Sequence, residues 1–183
     1  MLNDFQQQQL VALWLSQDVE RMALLTSVKS LELPQGMIAA GVIRNMVWDK
    51  LHGLSSTPFN DVDVIYFDPN AKAEDDMALE QQLKAQQPTI DWQVRNQARM
   101  HLRNGDRPYT SCQDAMSFWP EQETAVGARL NPHGEIEVIS GFGLNSLLNG
   151  HITANPAREP HVFKQRMEQK RWLARWPKLS IHQ

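Results

Sequence analysis

The chain has 183 residues, of which 42% are hydrophobic and 21% are charged, and its formal net charge is -3. These values are typical of a globular protein, so disorder is not the default, and the net charge excludes an overall basic signature for nucleic acid or an anionic membrane. The single cysteine, Cys112, excludes an internal disulfide and a zinc site made of thiolates.

Two further absences in the sequence bear on location. No run approaches the roughly 18 apolar residues that a membrane-spanning helix requires. The first ten residues, MLNDFQQQQL, lack the basic and apolar regions of a secretory signal. We therefore expect a cytoplasmic protein without a membrane partner, and the sequence leaves its oligomeric state open.

The first part of the chain predicts two helices, a strand and a third helix. Apolar residues recur every three or four positions over residues 1–33, and the polar stretch Ser16-Gln17-Asp18 divides this region into two short helices. GMIAAG then predicts a short apolar strand. The apolar stripe in VIRNMVWDKLHG predicts a helix that ends at Gly53.

The middle of the chain alternates strands and helices. A strand is predicted over residues 61–67, an exposed helix in AEDDMALEQQLKAQQ, and a half-buried strand over residues 89–96. Ser111 is placed to cap a helix that extends to Phe118 or Trp119. TAVGARL and EIEVIS, separated by NPHG, then predict a β-hairpin.

The last part of the chain predicts a short helix in GLNSLLNG and a terminal amphipathic helix over residues 160–176. Together the elements predict an α+β fold, an α/β sandwich in which helices flank a mixed sheet of about five strands. We expect a single domain over residues 1–183. It would comprise N-terminal helices (1–33), a sheet core that carries the functional site (37–140) and C-terminal helices (142–178).

Asp61 and Asp63 stand two residues apart at the start of a strongly apolar strand. Residues with this spacing point to the same face of a strand, so their carboxylates lie close together and repel each other. A divalent cation with a preference for oxygen ligands, such as Mg²⁺, relieves this repulsion. Asp91, on the polar face of the strand over 89–96, is the candidate third carboxylate. The alternative for the pair is an ordinary strand entrance without metal, and Asp68 is expected to be a turn residue.

A possible phosphate site precedes the aspartate pair. Gly41 lies between a predicted strand and a predicted helix, where free backbone N–H groups attract anions and a glycine allows close approach. Arg44 and Asn45 lie in the first turn of that helix and can reach the same anion.

This order of elements resembles the nucleotidyltransferase superfamily that shares its fold with DNA polymerase beta. The signature of that superfamily is strand–Gly–[Gly/Ser]–helix, then D-h-[D/E]-h on the next strand and a third acid later. More closely, five blocks resemble a bacterial family of nucleotidyltransferase-like proteins, over residues of about 20 to about 178. The blocks are AAGVIRNMVWDKLHG, NDVDVIYFD, WQVRNQARMH, AMSFWPEQETAVGARL and GFGLNSLL.

The resemblance implies a site for Mg²⁺ (or Mn²⁺) made by Asp61, Asp63 and Asp91, with Gly41 as the glycine of the phosphate turn. Val42 stands where the superfamily usually has Gly or Ser, and about twenty residues separate Gly41 from Asp61, more than is usual. We expect Arg44 and Asn45 to have taken over part of the phosphate binding.

Two groups of basic residues have alternative interpretations. Arg99, in RNQARMH, can neutralise phosphate charge beside the site, or it can belong to a solvated loop. The basic residues of the last helix are more simply its charged outer face than a nucleic-acid contact. They are Lys164, Arg166, Lys170, Arg171 and Arg175. The sequence therefore has no strong nucleic-acid signature.

The sequence predicts an enzyme that transfers a nucleoside monophosphate from an NTP to an unknown acceptor and releases pyrophosphate, with metal dependence. The alternative is a catalytically inactive nucleotide-binding module of the same fold, to which Val42 points. An interaction protein that acts through a partner chain is a third possibility, which no feature of the sequence favours.

Overall fold

The computed structural model describes residues 2–59 and 61–182. Its helices are α1 (Asp4–Ser16), α2 (Val19–Lys29), α3 (Gly41–His52), α4 (Ala73–Gln86), α5 (Gln97–Asn104), α6 (Cys112–Met116), α7 (Asn145–Leu148), α8 (Pro160–Lys170) and α9 (Trp172–Arg175). Its strands are β1 (Met37–Ala39), β2 (Val62–Tyr66), β3 (Trp92–Asn96), β4 (Val126–Leu130), β5 (Ile136–Ser140), β6 (His151–Thr153) and β7 (Ser180–His182). A 3₁₀ turn covers Gln122–Thr124. Within the described ranges, no helix has both the length and the apolar character needed to cross a bilayer.

Five strands form one mixed sheet in the order β3-β2-β1-β4-β5. β2 and β3 are parallel, whereas β1 pairs antiparallel with β2 and β4, and β4 pairs antiparallel with β5. The predicted α+β fold with a mixed five-stranded sheet and flanking helices is therefore confirmed. The predicted hairpin is the β4–β5 pair, with Leu130 opposite Ile136.

The division of the N-terminal region into two helices is also confirmed, and its cause is local. The Asn3 side chain accepts a hydrogen bond from the backbone of Gln6 at the start of α1. Asp18 accepts one from the backbone of Arg21 at the start of α2. An aspartate that satisfies the first N–H groups of a helix starts a new helix there.

Apolar side chains cover both faces of the five-stranded sheet. Successive residues of a strand point to opposite faces, so Ile38 and Val64 join the large cluster with α1, α2 and α3. The opposite face carries a smaller cluster of buried residues. Its members are Met37, Ala39, Ile65, Cys112, Met116 and Ala125.

Helix α4 covers the outer edge of the sheet at β3. The Glu80 carboxylate accepts a hydrogen bond from the backbone N–H of Val94 at 2.9 Å, and Asp76 accepts one from that of Asn96 at 3.4 Å. Two backbone donors of the edge strand are thereby occupied by side chains of the same chain.

Three features differ from the sequence-based predictions. The segment RNQARMH (95–101), whose alternative interpretation was a solvated loop, contributes to β3 and to helix α5, which Asn96 caps. A second sheet, in which β6 and β7 run parallel, was not predicted. The terminal helix predicted over 160–176 is two helices, because Arg171 takes a left-handed conformation (φ 48°) between α8 and α9.

Candidate active site

The turn between β1 and α3 is made by Ala40. Its backbone (φ 58°, ψ -123°) is one that glycine adopts far more readily, and its N–H donates to Val126 at 2.8 Å. Gly41, the first residue of α3, has no such conformation. The backbone conformation that favours glycine therefore lies at Ala40, one residue before the Gly41 of the predicted phosphate turn.

The aspartate pair lies beside this turn. Asp63 on β2 is opposite Ala39 on β1, directly before the turn residue Ala40. Asp61 and Asp63 both line the same cleft. Burial and the neighbouring Asp61 raise the pKa of Asp63 to about 6. Two neighbouring carboxylates in one cleft provide the oxygen ligands that a divalent cation such as Mg²⁺ prefers.

The cleft has a volume of about 420 Å³, and its polar lining carries both signs of charge. The start of α3 and the two aspartates form one part of the lining. Five cationic side chains from α3 and the C-terminal helices form another. They are Arg44, Arg166, Lys170, Arg171 and Arg175. A site that contains carboxylates and several cations can hold a metal ion and a polyphosphate together.

Arg44 is held in this cleft by hydrogen bonds and by two tryptophan rings. Its Nη1 donates to Thr124 Oγ1 at 2.7 Å and its Nη2 to Asn45 Oδ1 at 2.9 Å. Its guanidinium lies 4.8 Å from the ring centre of Trp48 and 4.5 Å from that of Trp172. Burial lowers the pKa of Arg44 to about 10, so the group is still a cation at neutral pH. Nη2 of Arg44 and Nδ2 of Asn45 lie 3.6 and 3.7 Å from where a Cβ on Gly41 would be.

The loop before Asp61 is tied to the C-terminal helices. Asp49 accepts hydrogen bonds from the Thr57 backbone at 2.7 Å and from Trp176 Nε1 at 2.9 Å. Arg175 Nε donates to the Thr57 hydroxyl at 2.8 Å. Arg21 is fully buried and donates to the Val42 carbonyl at 2.7 Å, at the first turn of α3. The cleft wall is therefore assembled from segments that are far apart in sequence.

The structure does not bring two of the predicted residues into the cleft. Asp91 is exposed just before β3, and its side chain does not line the cleft. Within residues 2–59 and 61–182, no three His, Cys, Asp or Glu side chains are grouped to hold one metal ion, so the predicted triad is not assembled. Arg99 donates to Asp76 at 2.9 Å and to the Ala71 carbonyl at 2.8 Å, because α5 turns it toward α4. Asp68 accepts from the Asn70 backbone at 2.9 Å and is a turn residue, as expected.

Sequence reasoning missed most of the cationic lining. The basic residues of 160–176 were assigned to a solvated face, yet four of them line the cleft: Arg166, Lys170, Arg171 and Arg175. One signal was present, because Trp172 and Trp176 have the spacing of a buried stripe, and both are buried. The stripe predicts that this segment packs against the rest of the protein, but it does not predict that its basic residues line the cleft.

Comparison with known proteins agrees with this geometry. The family described as "Nucleotidyltransferase" matches residues 26–181. The chain belongs to this family. One similar solved structure is an NMR structure of a protein that reveals a CCA-adding enzyme head domain. It is 33% identical, with a TM-score of 0.83, and the match covers 94% of each chain. The resemblance seen in the sequence is confirmed, and this protein is an enzyme of the nucleotidyltransferase type.

More distant structures share the fold of this nucleotidyltransferase. A CCA-adding enzyme in complex with CTP is 12% identical, with a TM-score of 0.60, over 94% of this chain and 43% of the other. The Thermotoga maritima CCA-adding enzyme in complex with tRNA_CCA is 14% identical, with a TM-score of 0.56, over 88% of this chain and 38% of the other. The chain thus spans less than half the length of these enzymes. No curated protein sequence matches it significantly.

Proposed function

We propose that this nucleotidyltransferase binds a nucleoside triphosphate with a divalent metal in the cleft and transfers its nucleoside monophosphate to an acceptor. The observation that carries this proposal is the joint presence of Asp61, Asp63 and six cationic residues around one cleft at the start of α3. Solved relatives of the same fold bind CTP and ATP, which supports an NTP as the donor.

Metal binding, phosphate binding and charge neutralisation would each fall to different residues of the cleft. Asp61 and Asp63 would hold Mg²⁺ or Mn²⁺, which when bound polarises phosphate oxygens and favours ionisation of the acceptor hydroxyl. The first turn of α3, with Gly41 and Asn45, would bind phosphate oxygens through N–H groups. Arg44 would neutralise charge that develops on the phosphates.

In the reaction, an oxygen of the acceptor attacks the α-phosphorus and forms a new P–O bond. The bond from the α-phosphorus to the oxygen that bridges to the β-phosphate breaks, and pyrophosphate leaves with the electron pair. The acceptor oxygen loses its proton to solvent or to a nearby base. Positioning and charge neutralisation account for most of such catalysis.

The test is calorimetric titration of ATP and CTP with and without Mg²⁺, on the wild type, Asp61→Asn and Asp63→Asn. We expect Mg²⁺ to raise the affinity of the wild type for the nucleotide at least tenfold. In both variants most of this increase should be lost. Asp91→Asn is the matched control, since the exposed Asp91 does not line the cleft, and it should keep the metal dependence. Metal-dependent binding that survives in both Asp61→Asn and Asp63→Asn would show that the assignment of the metal site is wrong.

Turnover is tested separately from binding. Release of pyrophosphate from an NTP is measured with hydroxyl-bearing acceptors that include short RNA and small polyols. Tight metal-dependent binding without pyrophosphate release on any acceptor would favour the inactive nucleotide-binding module instead.

A further inference from the structure

Next to the cleft lies a buried carboxylate that takes no part in the proposed chemistry. Glu121 is 0% exposed and precedes the 3₁₀ turn, in a segment that forms a β-bridge with Ala154. Burial of a carboxylate is costly unless cations and hydrogen-bond donors compensate it. Its partners therefore indicate its role.

Glu121 is joined to two cations of the cleft, one directly and one through a hydroxyl. Arg166 donates to it through Nε and, at 3.1 Å, through Nη2. Thr124 donates its hydroxyl to Glu121 Oε2 at 2.9 Å and accepts from Arg44 Nη1 at 2.7 Å. One carboxylate thus links a guanidinium of α3 to a guanidinium of α8.

Without this carboxylate, the two guanidinium groups would repel each other. Burial is the main cause of the lowered pKa of Arg44, and the charge of Arg166 lowers it further. The charge of Glu121 raises the pKa and is the largest effect in that direction. The Arg166 side chain is 29% exposed and belongs to a separate helix, so it is free to turn toward solvent if its partner is removed. Arg44 is held more firmly, because it lies 4.5 Å from the Trp172 ring centre, against 6.0 Å for Arg166. It also contacts Trp48.

We propose that Glu121 is a positioning residue that holds Arg44 and Arg166 together as the two arms of one polyphosphate site. The ligand class is a linear polyphosphate, presented as the triphosphate tail of a nucleotide, and in this respect the inference rests on the proposed function. A guanidinium has five N–H donors, so both arginines keep donors for phosphate oxygens beyond those that bond Asn45, Thr124 and Glu121. Glu121 itself does not touch the ligand.

The experiment measures the affinity for tripolyphosphate, without metal, by calorimetry. Glu121→Gln, Arg166→Ala and the double variant are compared with the wild type. We expect each single change to weaken binding about tenfold, since a charge-assisted contact is lost or misplaced. The double variant should be within about threefold of Arg166→Ala, because Glu121 acts through Arg166.

Glu137→Gln is the matched control. Its carboxylate pairs with Arg129 Nε at 2.7 Å in an ion pair outside the cleft, and neither residue lines the cleft. It should leave the affinity for tripolyphosphate unchanged. A purely structural role of Glu121 would lower the melting temperature of Glu121→Gln without the loss of affinity, and that result would overturn the proposal. Additive losses in the double variant would overturn it too.

Thr124→Val keeps the inference testable if Glu121→Gln does not fold. This variant keeps Glu121 and Arg166 but removes the hydroxyl that joins them to Arg44. We expect a loss of affinity of about threefold to tenfold, and full affinity would exclude the link to Arg44. The proposed function fails separately, if the wild type binds tripolyphosphate but shows no metal-dependent binding of a nucleotide.

Discussion

Ala40 has a backbone conformation that a side chain disfavours. Its φ of 58° and ψ of -123° correspond to the first central residue of a type II′ turn, which is usually glycine. Positive φ at a residue with a Cβ costs on the order of 1 kcal/mol. The residue nevertheless stands at the junction where β1 passes into the candidate phosphate turn.

We predict that Ala40→Gly raises the free energy of unfolding by about 0.5–1 kcal/mol, because the relief of strain exceeds the added chain entropy of glycine. Urea denaturation measures the change. Ala39→Gly is the control, since Ala39 lies in β1 without positive φ and the same substitution should destabilise it. Equal destabilisation by both substitutions would show that the turn at Ala40 is not strained.

Single residues also show what a sequence can and cannot reveal about the site. The pairing of Asp61 with Asp63 follows from strand periodicity alone, and both line the cleft. Arg99 lies just after strand β3, where the sequence placed it, but its side chain pairs with Asp76, which lies 23 residues earlier in α4. The orientation of a long side chain depends on such distant partners, which local patterns do not contain.

At the scale of elements, two ion pairs hold the connection between α5 and α6: Asp106 pairs with Arg158, and Arg107 pairs with Asp114. Arg107 contacts both oxygens of Asp114, at 2.8 and 2.7 Å, and the Thr110 backbone donates to the same carboxylate at 2.9 Å. The hydrogen bonds from Arg107 are the main cause that lowers the pKa of Asp114 to about 2. The charged form of this carboxylate is thus favoured by the folded chain.

We predict that Asp114 contributes to stability above a pH of about 4, its ordinary pKa, and that this contribution is lost as pH falls toward about 2. The sign follows from the lowered pKa, because the unfolded chain takes up the proton first. Denaturation of Asp114→Asn and wild type at pH 7 and at pH 2.5 measures it. The two proteins should differ at pH 7 and converge at low pH, whereas a constant difference would contradict the prediction.

The break at Arg171 explains why the terminal elements were only partly predictable. The apolar spacing of residues 160–176 fits one continuous helix, yet α8 ends at Lys170 and α9 starts at Trp172. Trp172 and Trp176 both pack edge-on against Trp48 of α3, with ring centres 5.5 and 5.1 Å away. This tertiary contact outweighs the helical preference of the segment, and propensity alone does not reveal it.

At the scale of the whole molecule, Asp49 ties three distant parts of the chain together. It is buried in α3 and accepts hydrogen bonds from Thr57 and from Trp176 Nε1. The mixed sheet of about five strands with flanking helices was predictable from the sequence. The packing of the C-terminal helices against the cleft was not predictable, because it depends on contacts between residues more than a hundred positions apart.

We predict that Trp176→Phe destabilises the fold by about 1–2 kcal/mol more than Trp92→Phe does, because only the first removes a hydrogen bond from a buried carboxylate. Both side chains are buried, and Trp92 Nε1 has no acceptor within residues 2–59 and 61–182, so the two changes are matched in size. Urea denaturation of both variants measures the difference. Equal losses would mean that the bond to Asp49 adds nothing to stability.

The acids of α4 at the outer edge of β3 have a consequence for crowded solutions. An open edge strand is a template for strands of other molecules, and it is a common start of aggregation. Here the N–H groups of Val94 and Asn96 are already occupied by Glu80 and Asp76. Asp63 lies on β2, and β3 is the neighbouring edge strand. At these two positions β3 is therefore shielded from pairing with strands of other molecules. This edge of the sheet therefore offers fewer free N–H groups to strands from copies of the same protein.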